Sequence, residues 1–402
     1  MKNNNLHIIL IVFVSLLFLQ GCKKNPSSPG NNTGGLNIKG NFNSYSSLSV
    51  KKLDAPQAAK VIVFYPDVMG GAASDIANGS FDIQPFKGKP IGLVFADASN
   101  HYLGYLTMGS GVDSMPLNML DTDVTTIDLQ SITITADTAI PGHNPVGNEI
   151  PMTAADITAY AFSNGIFATL LKNPDVDGDG IVDVLENSFY KYSISYGIKA
   201  GVFSSPTDLT PTLNNPVTIS GYSMDVIIHD PAGDPASVNM QGAPGSGIEN
   251  VALTIIPNGG IWDSYIFRPS VPGNIPPAGA YVVTYGSKTL TFNVPDQTII
   301  TKYMVIIVPT VILNADNTIH EITWTYKLSD GSTTVDPKTT LLQIGVQLAG
   351  GSGGLYQYYS DAIEQTEHVL TDQTVPWSSV TLLDMTYNDI FGNNAVIGFD
   401  KP

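Results

Sequence analysis

Asp175-Val-Asp-Gly-Asp-Gly-Ile-Val-Asp-Val-Leu-Glu186 separates two long β-rich stretches and is the pivot of this chain's organisation. A hard divalent cation takes about six to eight oxygens. A loop of this length supplies them from positions 1, 3, 5, 7, 9 and 12, with glycine at position 6 for the sharp turn. Those positions hold Asp175, Asp177, Asp179, the carbonyl of Ile181, Asp183 and Glu186, with Gly180 at the turn. Val182, at position 8, adds an apolar anchor. Asp and Gly are also ordinary turn residues. Four aspartates and a glutamate this close, however, repel one another unless a cation sits among them. The loop is expected to bind Ca2+.

Upstream, Thr153 is an expected N-cap, with Asp156 three residues on where a full capping box has Glu or Gln. Ile157, Tyr160, Ala161, Phe167, Leu170 and Leu171 keep helical spacing, and Gly165 weakens the middle. The helix should stop at Asn173-Pro174, because proline disfavours helical backbone in the residue before it. Downstream, Asn187 to about Ser193 is expected to extend as a short helix and then turn into a strand.

A single loop with a proline at its entrance is similar to the EF-hand-like calcium loops of thrombospondin type 3 repeats, which occur in bacterial surface proteins. It also resembles one dockerin repeat, but dockerins need two copies and this chain has one.

Further upstream, Lys60-VIVFY, Gly79-SFDI, Pro90-IGLVFAD and Tyr102-LGYLTM are short β-branched or aromatic runs between turn residues, the pattern of strands. The runs Gly79–Ile83, Ile91–Phe95 and Tyr102–Tyr105 resemble the carboxypeptidase regulatory-like (transthyretin-like) sandwich. That resemblance implies a structural or binding module without catalytic residues. Residues 135–152 are expected to form a Pro/Gly-rich connection.

Beyond the loop, strand patterns recur at Val217–Asp230, Val251–Pro257, Tyr281–Pro295, Lys302–Pro309 and from Glu321 onward, which suggests an immunoglobulin-like sandwich. A helix candidate runs from Tyr356 to Leu370, and Val380 to Phe399 should add strands. The expected fold is therefore mainly β, with two β-sandwich-like regions joined by a short helical segment that carries the loop. The expected units are 1–21 signal segment, 22–35 tether, 36–140 first sandwich, 150–200 helix and loop, 206–348 second sandwich, and 349–402 Gly-rich loop, short helix and C-terminal strands.

The chain opens with Lys2, an apolar run from Leu6 to Leu19, and Leu19-Gln-Gly-Cys22, the layout of a secretory signal. The run is shorter than the ~20 residues a membrane-spanning helix needs. Leu-x-Gly-Cys resembles the lipobox of bacterial lipoproteins, which implies that Cys22 is acylated and anchors the protein to a lipid membrane. Cys22 is the chain's one cysteine, so it has no intramolecular disulfide partner. Lys23 stands where the inner-membrane retention signal of some lipoproteins has Asp, so the resemblance points to the outer membrane or cell surface. Residues 23–35, rich in Pro, Gly, Ser and Asn, should be a disordered tether.

The net charge of −17 argues against nucleic acid and anionic lipid heads as partners. Gly350-Gly-Ser-Gly-Gly354 formally fits a nucleophile elbow around Ser352. An elbow needs the strand-and-helix alternation of a parallel α/β fold, which is lacking here. No metalloprotease motif, clustered His/Cys set or phosphate-binding loop occurs, and His229-Asp-Pro reads as a turn at a strand end. Trp262, Trp324 and Trp377 are candidates for stacking on a glycan, with core packing as the alternative. Of these, Trp262 lies in a turn-like context and is the candidate ligand-binding residue.

The expected function is that of a calcium-binding, lipid-anchored surface protein with a structural, adhesion or partner-recognition role. Glycan uptake is the alternative, and an extracellular hydrolase a more distant one.

Overall fold

The computed structural model describes residues 35–42, 57–66, 70–86, 88–233, 235–257, 264–272, 275–331, 335–350, 356–363, 365–370 and 374–402. Cys22, its flanking segments, Ser352 and Trp262 lie outside the described residues.

The fold is mainly β, as expected. The first unit has β1 (Asn37–Asn41), β2 (Lys60–Tyr65), β3 (Gly70–Asp75), β4 (Ser80–Ile83), β5 (Gly92–Ala96), β6 (Tyr102–Leu106), β7 (Thr126–Thr135) and β8 (Thr138–Pro141). Their order across the sheet is β3-β2-β5-β6-β8-β7-β1-β4. Ile62, Phe95, Ile127 and Leu129 are fully buried in its core; β7 alternates buried and exposed residues around Ile127 and Leu129 as a half-buried strand does, whereas β5 is buried along its whole length. β8 falls inside the stretch expected to be a connection. It pairs with both β6 and β7, and those ladder bonds outweigh the local turn chemistry.

The helix α1 (Ala154–Lys172) follows. Thr153 caps it, and Asp156 completes the capping box that the sequence lacked in its usual Glu or Gln form. The shorter carboxylate still reaches, with Asp156 Oδ2 accepting from Thr153 N at 2.9 Å. Two different faces of the helix are buried. Tyr160, Phe167 and Leu171 enter the first core, whereas Ala159 and Ile166 enter the second. Close approach to β5 depends on Gly92, where an added Cβ would fall 2.3 Å from Leu171 Cδ2.

The second unit comprises β9 (Phe189–Val202), β10 (Thr212–His229), β11 (Asn239–Gln241), β12 (Val251–Ala252), β13 (Thr254–Pro257), β14 (Ser264–Pro272), β15 (Gly279–Tyr285), β16 (Lys288–Val294), β17 (Val305–Leu313), β18 (Ile319–Leu328), β19 (Leu341–Gly350), β20 (Tyr356–Ala362), β21 (Glu367–Val369), β22 (Val380–Asp389) and β23 (Asn394–Asp400). A short helix, α2 (Ile300–Tyr303), precedes β17. The main sheet runs β13-β14-β10-β9-β23-β22-β19-β20, accompanied by a four-stranded sheet, β12-β11-β15-β16, and a three-stranded one, β17-β18-β21.

This topology corrects three expectations. The Tyr356–Leu370 segment forms β20 and β21 instead of a helix, because β20 pairs along its length with β19 and its aromatic residues suit a strand. No helix follows the loop: a 3-10 turn, Asp183–Glu186, ends at Asn187 in the left-handed region (φ +60°), and β9 starts at Phe189. Boundaries at 200, 206 and 348 do not divide the sheets. β9 pairs in parallel with β23 at the centre of the main sheet, so the first and last strands of this unit lie side by side.

The two units share a packed seam. The β22–β23 turn sends Phe391 into the first core, where its ring meets Tyr160 edge-on at 5.2 Å and stacks near Phe167 at 6.0 Å. Lys191 of β9, itself buried, donates to the Pro66 carbonyl of the first unit. Joining the units therefore involves a helix, a hairpin turn and the loop together.

Candidate metal centre

The loop leaves α1 at Asn173-Pro174 and folds back on itself through two glycines with positive φ, Gly178 (+75°) and Gly180 (+97°). An L side chain at either position would be strained. Asp175 organises the turn. Its Oδ1 accepts from Gly178 N at 2.8 Å and Asp179 N at 3.1 Å, and its Oδ2 accepts from Gly180 N at 2.9 Å. Asp183 closes the far end by accepting from Val176 N, with Oδ2 at 3.0 Å. Ile181 follows the Gly180 turn and donates its N–H to Asp179 Oδ1 at 2.9 Å.

These contacts draw the carboxylates together in two overlapping groups, Asp175, Asp177 and Asp183, and Asp177, Asp179 and Glu186. Within each group the nearest oxygens all lie within 4.8 Å of one another. Asp177 belongs to both. Its side chain is 8% exposed, and its Oδ1 is buried with no hydrogen-bond partner. A buried carboxylate oxygen left without a donor is costly, so this atom tests whether the cluster suits a metal ion. All five side-chain positions expected from the sequence are brought together, and the donor set is all oxygen, as a hard cation prefers.

Electrostatics point the same way. Burial raises the Asp183 carboxyl to about 8; the Val176 N–H works against this, and the charges of Asp177, Asp175 and Glu186 push it further up. Glu186 is raised as well, by burial first and then by Asp179 and Asp177. A cation among these groups favours their charged forms and reverses the strain.

The loop is stitched to both units through its backbone. Val182 N donates to the Asn100 carbonyl of the first unit at 3.2 Å, and Thr291 N of β16 donates to the Val176 carbonyl at 3.1 Å. A polar cluster from the second unit meets the loop at Asp177. Lys288 Nζ lies 3.4 Å from Asp177 Oδ2, 3.1 Å from Asp230 Oδ2 and 3.2 Å from Tyr190 Oη. Tyr285 Oη donates to Asp230 Oδ2 at 2.9 Å. Burial works against the Lys288 charge, but hydrogen bonds to Tyr190 and Asp230 outweigh it and hold the ammonium above its usual range. Sequence reasoning missed Lys288, Tyr190, Tyr285 and the link to Asp230, since no local spacing connects them to the loop.

The other candidates are placed as follows. Trp324 and Trp377 are buried, with their indole N–H groups donating to Tyr326 Oη at 3.0 Å and the Asp208 carbonyl at 3.1 Å, so both are core residues. His229 ends β10, and Asp230 opens the following turn by accepting from Ala232 N at 2.9 Å. Among the described residues no helix is long and apolar enough to cross a membrane, which does not bear on β-barrel spans.

The chain matches no protein family model and no curated protein. Among solved structures it is similar to a DUF4785 family protein from Legionella pneumophila, at 10% identity over 55% of this chain and 58% of that one, with a TM-score of 0.17. It is also similar to the FN1-FN3 domains of chicken CNTN1, at 8% identity over 85% of this chain and 90% of that one, with a TM-score of 0.18. Likenesses of this size carry no weight for fold or function.

Proposed function

We propose that the Asp175–Glu186 loop binds one calcium ion that holds the junction of the two β units, in a lipid-anchored protein of a bacterial outer membrane or cell surface. The observation that carries the metal reading is Asp177, which is shared by both carboxylate groups and has one buried oxygen without a donor. Calcium is the ion chosen because Asp, Glu and one backbone carbonyl occupy the positions of a flexible oxygen cage, with no nitrogen or sulfur donor among them. The ion's role is structural: it offsets the repulsion of five carboxylates and fixes the path of the chain from α1 to β9.

Each unit holds one end of the loop, so the ion stabilises the seam and with it the surface that both units present. Adhesion or recognition of another surface protein is the activity this arrangement serves. Anchoring rests on the Leu19-Gln-Gly-Cys22 resemblance to a lipobox. Extracellular modules of this kind bind calcium at about 10⁻⁴ to 10⁻³ M. At ~100 times the dissociation constant, binding adds about 2.7 kcal/mol of stability. Thermal unfolding of the full chain in calcium and in chelator tests the reading: a higher melting temperature in calcium supports it, and superimposable curves overturn it.

A further inference from the structure

We infer that Lys288 sets the affinity of the loop for its cation, as a tethered positive charge that shares Asp177 with the ion. This rests on the calcium reading of the loop. Lys288 opens β16 directly after the β15–β16 turn, where it pairs with Tyr285. That position brings its ammonium to Asp177 Oδ2 (3.4 Å), Asp230 Oδ2 (3.1 Å) and Tyr190 Oη (3.2 Å). Among the described residues it is the basic side chain paired with a loop carboxylate. It reaches the one carboxylate common to both acidic groups.

The position acts on both sides of the binding equilibrium. Without the ion, Lys288 partly neutralises the crowded carboxylates and so stabilises the empty loop. With it, two cations share Asp177 and repel each other, which disfavours the loaded loop. Both effects weaken binding, and a differential effect on the two states is what changes an affinity. Asp230 and Tyr190 keep the ammonium in place, so it cannot simply swing away into solvent when the ion arrives. A loop weakened in this way discriminates against binding at low calcium and fills only where the ion is plentiful.

A surface ion pair that merely props the β15–β16 turn would give a different signature, because it would stabilise the ion-free and ion-bound forms equally. Calorimetric titration of calcium chloride into the full chain, purified in detergent, separates the two. Lys288→Met should bind calcium on the order of tenfold more tightly, from the loss of one like charge at close range in a partly screened site. Lys288→Arg, which keeps the charge, should bind as the wild type does. In chelator, Lys288→Met should melt lower than the wild type, and calcium should recover more of the loss than it adds to the wild type. An affinity unchanged or weaker in Lys288→Met, with equal melting losses in calcium and chelator, would overturn the inference while leaving the calcium site standing. A wild-type chain that gives no calcium-dependent heat, and does not differ from Asp175→Ala, would overturn the calcium reading and this one with it.

Discussion

Val176 and Val182 belong to the same loop, yet they are buried in different hydrophobic cores, Val176 (5% exposed) in that of the second unit and Val182 (0%) in that of the first. Each also carries a backbone hydrogen bond into the unit that buries it, from Thr291 N to the Val176 carbonyl and from Val182 N to the Asn100 carbonyl. Asp177 and Asp179 lie on the short path between these two anchors, and Asp175 and Asp183 flank it on either side. Whatever tightens the loop therefore tightens the seam.

Loss of a ligand should mimic loss of the ion. Asp175→Ala or Glu186→Ala is expected to lower the melting temperature in calcium by roughly 2–3 °C, about what a 2 kcal/mol change does in a chain of this size. The wild type in chelator should show a similar loss. Calorimetry or circular dichroism melts in the two buffers would check this, and a variant that melts with the wild type in calcium would refute it.

Phe391 should couple the units. Its ring comes from the second unit's hairpin turn but is buried against Tyr160 and Phe167 in the first core. Phe391→Ala removes a buried aromatic and should cost about 3–5 kcal/mol. Protection from hydrogen exchange is expected to fall in β5 and α1 as well as in the hairpin. Loss confined to residues 389–394 would show that the seam transmits nothing.

Asp389 should impose a pH dependence. Burial raises its carboxyl to about 7, against the pull of Asn393 and Phe391 hydrogen bonds and of the Lys191 charge. Because the folded value lies above the unfolded one, the folded state binds the extra proton between about pH 4 and 7. Stability from this group is thus fully present below pH 4 and is lost as pH rises through 7. Asp389→Asn keeps the acceptor for the turn amides and loses the bond from Asn393 Nδ2, worth about 1 kcal/mol. Denaturant unfolding from pH 4.5 to 7.5, in chelator, should show a smaller decline with pH in Asp389→Asn than in the wild type. Parallel pH profiles would refute the assignment.

Cys22→Ser should release the protein from membranes, since acylation supplies the proposed anchor and each buried methylene contributes about 0.8 kcal/mol. Fractionation of membranes after expression in a bacterial host checks this. Unchanged partitioning would remove the lipid anchor from the proposal.

Much of the site was legible because its parts are local. Asp175, Asp177, Asp179, Asp183 and Glu186 are spaced by the loop's own geometry, and the turns at Gly178 and Gly180 depend on a conformation that glycine adopts freely. The strand runs of the first unit were legible for a similar reason, as short β-branched segments between turn residues. Errors fell where strand pairing, which the local residue pattern does not display, decided the element. Thr138–Pro141 looks like a connection until β6 and β7 bond to it, and Tyr356–Ala362 is a strand through its pairing with β19.

The sequence by itself determined a mainly β chain, a helix capped at Thr153 and stopped at Pro174, and an oxygen cage of five carboxylates. Propensity, capping and loop spacing all act within about a dozen residues, and a sequence displays that range directly. Tertiary structure alone decided that β9 and β23 pair across the second unit, that Phe391 plugs the first core, and that Lys288 meets Asp177 across 111 residues of chain. Those contacts follow from packing of two hydrophobic cores against one helix, and packing sets which distant side chains meet without leaving a period in the sequence.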